Sequence, residues 1–137
     1  MFGQSFKRME SLPLATEGEH TVTLGIPSVK QKNGYVWLEV PITYEKGEKL
    51  RPDNFTLFDP TDQMDLKQVE GFCRKATKIF DCFDLKNTFD NTEFPQWKGH
   101  QGKVIIAKDK NDFLVVKDFI KSKAVEERQA KQNEMIF

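Results

Sequence analysis

The stretch that most constrains this chain is Asn33 to Tyr44, NGYVWLEVPITY. Asn33-Gly34 is a turn signal, and the residues after it alternate as a half-buried strand does. Val36, Leu38, Val40 and Ile42 fall on one face, and Tyr35, Trp37 and Glu39 on the other. The aliphatic face belongs to a core. The opposite face carries two large aromatics two residues apart, about 7 Å along a strand. Lys30 and Lys32 stand just before the turn. Flat rings beside flexible cations suit a single nucleic-acid strand, whose bases have free π-faces and whose phosphates need counter-charge. A second layer covering the rings, either a helix or another subunit, would explain the same pattern. Both readings stand open at this point.

The other elements follow in chain order. Residues 1–16 read as a loosely tethered arm, with Phe2, Phe6, Met9 and Leu12 available to lie on a barrel. A first strand is expected from His20 to Ile26, ended or bent by Pro27. Ser28 to Asn33 then connects to the second strand. Pro41 would delete a ladder donor inside that strand, which predicts an edge position or a bulge near it. Glu45 to Lys49 is a charged turn around Gly47, and Asn54 to Phe58 a third strand.

Asp59-Pro60-Thr61-Asp62 has the chemistry of a helix start. Leu66, Val69, Cys73, Ala76, Phe80 and Phe83 follow in steps of three and four, a helical stripe that Phe72 and Ile79 widen. Gly71 weakens such a helix by about 1 kcal/mol relative to Ala, so docking must hold it. Residues 84–102 are a polar excursion carrying Phe89, Phe94, Pro95 and Trp97. Gly102 to Lys108 and Phe113 to Ile120 form a last strand pair around a polar turn. From Lys121 the chain is polar and helix-friendly, and it ends in Met135, Ile136 and Phe137.

Bulk composition narrows the class. A chain of 137 residues makes one domain, and 38% hydrophobic with 31% charged residues is ordinary for a globular protein. Most of the twelve Phe must be core. Twenty-one basic residues against 21 acidic leave no net charge, which argues against a duplex binder held by global charge but not against a local basic groove. No segment is apolar enough for a signal peptide or a membrane span. Cys73 and Cys82, nine apart on one helix, would lie about 13 Å apart along its axis, too far for a disulfide. The expectation is two buried thiols in a reducing cytoplasm. With His20 and His100 as the other soft ligands, no zinc spacing and no Cys–His dyad is evident. No cofactor is expected.

Three strands, a helix and two strands is the element order of an oligonucleotide/oligosaccharide-binding (OB) fold. The expected architecture is therefore mainly β: a five-stranded OB-fold barrel over residues 17–120, its helix between strands three and four. An arm (1–16) precedes it and a flexible polar or helical tail (121–137) follows.

Three stretches also resemble the small single-stranded-DNA-binding proteins of bacteriophages. They are Leu12-Pro13 followed by Gly18-Glu19-His20; Lys32-Asn33-Gly34 before an aromatic-bearing strand; and Trp97-Lys98-Gly99 with Gly102-Lys103-Val104, then Asp112 to Ile120. Residues inserted after Pro13, and His20 where the family has an aromatic, depart from that pattern. The resemblance implies binding and protection of single-stranded DNA during phage replication or recombination, in the host cytoplasm. The terminal Met135, Ile136 and Phe137 match the apolar end of tails that recruit replication proteins. Glu126, Glu127 and Glu134 form only a thin acidic supply before it, and Arg128 and Lys131 dilute them. A terminus docked on its own or a neighbouring barrel is the alternative.

The candidate single-strand site is Tyr35 and Trp37 as stacking rings, Lys30, Lys32 and Arg51 as phosphate contacts, and Lys98 and Lys103 beside glycines that let a backbone come close. Trp97 is included as a further ring, with a plug for the barrel end as its competing role. His20 is expected to be structural. Catalysis finds little support: there is no Gly-rich phosphate loop and no nucleophile elbow. Asp81, Asp84 and Asp90 read as a solvated face. The rival function is a protein–protein adaptor built on the same barrel.

Overall fold

The computed structural model describes residues 12–59, 65–85 and 93–136, with side chains described up to 132. The protein is mainly β: one antiparallel sheet of six strands and two α-helices. The strands are β1 (Gly18–Leu24), β2 (Ser28–Lys32), β3 (Tyr35–Tyr44), β4 (Asn54–Phe58), β5 (Gln101–Lys108) and β6 (Leu114–Ile120). Helix α1 (Leu66–Phe83) lies between β4 and β5, and α2 (Lys123–Ile136) follows β6. Hydrogen-bonded neighbours run β2-β3-β1-β5-β6, with β4 on the other side of β3.

The sixth strand is β2, in the segment expected to be a connection. Asn33 and Gly34 both take positive φ, 52° and 81°, which turns the chain back in two residues and matches the strand twist. Ser28 to Lys32 then pairs with Glu39 to Tyr35. Short, charged and exposed throughout, β2 has no apolar alternation to reveal it. The first strand is shifted two residues earlier than expected, ending at Leu24.

Strand β3 is the hub. It pairs with β2 over Tyr35–Glu39, with β1 over Ile42–Tyr44 and with β4 over Trp37–Pro41. Pro41 sits where the partner changes from β2 to β1, so its missing N–H breaks no regular ladder. Its carbonyl accepts from Gly25 N at 2.9 Å. Leu38, Val40, Ile42 and Tyr44 are buried, as a period of two dictates. They join Val22 and Leu24 of β1, Phe55 and Leu57 of β4, Val104 and Ile106 of β5 and Phe119 of β6 in one core.

Helix α1 closes that core from one side with Ala76, Ile79, Phe80, Cys82 and Phe83. Its N-cap is Asp65, which accepts from Gln68 N while Gln68 accepts from Asp65 N. The described helix thus begins at Leu66 rather than at the expected Asp59 start, of which residues 60–62 lie outside the described part. The stripe is corrected too. Leu66 is 74% exposed and Cys73 exposed, because the first turns of α1 overhang the sheet. One thiol is therefore buried, not two. Burial pushes the Cys82 thiol up to about 12.

Strand β5 meets α1 at Gly102, where any Cβ would stand 2.7 Å from the Phe83 ring and 2.8 Å from Cys82 Sγ. Between β5 and β6, Asp109 accepts from Asn111 N and Phe113 N, fixing the expected polar turn. Strand β4, which lies off the sheet path, and β6 at its end come together through the Phe55 and Phe119 rings, 5.0 Å apart. No ladder joins them among the described residues, so the sheet is not a closed barrel.

The C-terminal segment forms a helix, as its polar, helix-friendly pattern predicts. Val125 is buried, Arg128 pairs with Asp84, and Lys121 lies 3.9 Å from Asp81. The side chains of Met135, Ile136 and Phe137 lie outside the described residues, as do Phe2, Phe6, Met9, Phe89 and Asp90. Of the arm, Ala15 is buried and pairs through its N–H with Arg51 O. No described helix is long and apolar enough to cross a membrane.

Candidate functional site

Residues directly opposite on neighbouring antiparallel strands share a face. Trp37 stands opposite Lys30 of β2 on one side and Phe58 of β4 on the other. Tyr35 stands opposite Lys32. The outer face of the three strands therefore carries a row Lys30–Trp37–Phe58 beside a row Lys32–Tyr35. Tyr35 is 55% and Phe58 50% exposed. Trp37 is half-buried because Phe58 leans on it, centroids 5.7 Å apart at 39°. Both expected rings and both expected lysines are thus on one surface, and the hairpin is what delivers the cations to the rings.

Phe58 is the site residue that sequence reasoning missed. A signal existed. Leu57 and Phe58 are adjacent in a strand, so they point to opposite faces. With Leu57 in the core, Phe58 had to face outward, beside the strand that carries Trp37.

Of the remaining sequence-derived positions, Arg51, Lys103 and Trp97 are not brought to this face. Arg51 precedes β4 at the end opposite Phe58 and is tied through its backbone to Pro13 and Ala15; seven residues of near-extended chain put it on the order of 20 Å from the rings. Lys103 is opposite Thr21 on β1 and lies 3.4 Å from Glu19. Lys98 follows the 3-10 turn Phe94–Trp97 and is exposed. Trp97 is corrected as a stacking ring. At 2% exposure it fills the interior against Phe80 and Phe94, with centroids 6.0 and 5.7 Å away. No base reaches its faces in this position. His20 is structural as expected: its Nε2 is 2.6 Å from Thr16 O and its ring packs on Tyr44.

Among the acids, Asp81 faces Lys121 and Asp84 pairs with Arg128. No group of three or more His, Cys, Asp or Glu among the described residues is placed to hold a metal ion.

A scan against protein-family models finds none that matches the chain, and a search of curated proteins finds no match.

Proposed function

We propose that this protein binds single-stranded DNA, without marked sequence preference, on the outer face of β2, β3 and β4. The observation that carries this is the five-residue surface of Tyr35, Trp37, Phe58, Lys30 and Lys32, held by strand register. Every base has a π-face, so rings select unpaired bases without reading them. Each stacked base contributes about 1–3 kcal/mol, so the rings supply a large part of a modest affinity and the phosphate contacts add to it. We read the strand connections as those of an open OB-type barrel, with β2 as an added hairpin strand; the order β1, β3, β4, α1, β5, β6 supports that reading. The resemblance to phage single-stranded-DNA-binding proteins favours a role in phage replication or recombination, as a binding protein rather than an enzyme.

Titration of intrinsic Trp fluorescence with oligothymidylate, paired with gel shifts on single and double strands of equal length, tests this. Quenching and a shift of the single strand in preference to the duplex are expected. Equal affinity for duplex, or binding to neither, sinks the proposal and leaves the protein-adaptor reading in its place.

A further inference from the structure

A second surface opens beside the aromatic face. A groove of about 730 Å³ occupies the gap between β4 and β6, with α1 along it. Its walls carry Arg74, Lys75 and Lys78 from α1 and Lys117 from β6, against the carboxylate of Asp118.

Lys117 is there because of an irregularity in the sheet. Asp118 pairs with Ile105 and Val116 with Ile106, so Lys117 is an extra residue in the ladder. Strict alternation would put Val116 and Phe119, three apart, on opposite faces. The bulge lets both turn toward the core and re-aims Lys117 toward the groove.

The cations are unequal. Lys78 lies 3.0 Å from Asp118, and Arg74 lies 3.6 Å from Glu70 in an exposed pair that holds it weakly. Lys75 donates to Thr56 O at 2.7 Å, leaving further N–H groups on its ammonium. Lys117 makes no ion pair among the described residues. In a chain with no net charge, this is a local positive field, of the kind that concentrates anions in a cleft.

The groove reaches the rings through β4. Thr56 lines it and shares the outer face with Phe58, two residues or about 7 Å further along the strand. We propose that the groove carries the phosphates of the same single strand whose bases stack on Tyr35, Trp37 and Phe58. This rests on the function proposed above. Continuity favours a nucleic-acid backbone over an acidic peptide: the cations of both surfaces suit either, but only a nucleic acid also brings a base at every step for the exposed rings to stack on.

The test uses R74A/K117A, two exposed positions whose truncation removes charge and little packing, with a thermal melt to confirm an unchanged fold. Anisotropy titrations compare oligothymidylates of about four and about twelve nucleotides, the range of single OB-type sites. Wild type gains affinity with length. The double variant matches wild type on the short oligomer, loses most of that gain, and shows a salt slope on the long oligomer flatter by about 1.4, or 0.7 for each lost phosphate contact. Wild-type affinity and slope on the long oligomer overturn the groove assignment and leave the stacking face standing. If wild type binds neither oligomer, both proposals fall together. Polyglutamate captured by wild type but not by the double variant, with oligomer binding unaltered, assigns the groove to an acidic protein segment instead.

Discussion

Tyr35, Trp37 and Phe58 differ from Trp97 in what surrounds them, not in chemistry. The first three keep a face toward solvent, so replacing any one with Ala is expected to weaken single-strand binding by about 1–3 kcal/mol with little change in melting temperature. Trp97→Ala removes a ring packed on Phe80 and Phe94 and should destabilise the fold by about 3–5 kcal/mol, leaving affinity per folded molecule unchanged. Urea titration and oligomer binding on the same four variants separate the two roles. Tyr44 gives a second test at this scale. Its hydroxyl donates to Pro52 O at 2.6 Å. Burial, reinforced by Asp53, pushes its phenol up to about 12 from the usual 10. The folded state thus holds the proton longer than the unfolded one. The stabilisation is fully present below about pH 10 and is lost as pH rises toward 12. Cys82 shifts the same way, from 9.0 up to about 12, so its contribution begins to fall about one pH unit earlier. Urea midpoints between pH 9 and 11 should therefore fall, and fall less steeply in Tyr44→Phe. An identical slope in both proteins would remove Tyr44 from the account.

At the level of elements, two glycines show how position decides the sign of one substitution. Gly71 is in the interior of α1, and a Cβ added there would meet nothing within 4 Å, so Gly71→Ala is expected to stabilise by about 0.5–1 kcal/mol through helix propensity. Gly102 is where β5 passes over α1, and a methyl there meets Phe83 and Cys82 below 3 Å. Gly102→Ala should cost about 1–3 kcal/mol by overpacking. Thermal denaturation of the pair reads both signs, and a neutral Gly102→Ala would mean that α1 can shift on the sheet. The hairpin shows the same dependence on context. Asn33-Gly34 announced a turn, yet β2 exists because β3 offers it an edge, and its exposed Lys-rich sequence carried no strand signal of its own.

For the whole molecule, zero net charge means that the proposed single-strand binding would rest on a few local contacts. Lys30 and Lys32, with or without Arg74 and Lys117 of the β4–β6 groove, give about two to four phosphate contacts. At 0.7 per contact, the slope of log affinity against log salt should have a magnitude of about 1.4–2.8. A much steeper slope would mean that a different and more basic surface binds the strand. The opening between β4 and β6 is bridged by side chains rather than by a ladder. Phe55 and Phe119 meet across the opening, Lys75 reaches Thr56 O and Lys78 reaches Asp118, so α1 acts as the clasp between β4 and β6.

Local pattern was enough to place β3, β4, the α1 core residues Ala76, Phe80 and Phe83, the Asp109 turn and the last strand pair. Each depends on periodicity or on a side chain bonding its own neighbourhood, and the outward face of Tyr35 and Trp37 follows from the same period of two. What the linear pattern left open was set by partners distant in sequence. Register across β3 brought Phe58 beside Trp37 and Lys30. Packing against Phe80 and Phe94 turned Trp97 inward, and the overhang of α1 left Leu66 and Cys73 in solvent. The bulge at Lys117 arose because two core positions three residues apart had to face the same way. Burial and register are sums over neighbours that meet only when the chain has folded, and no window of the sequence contains them.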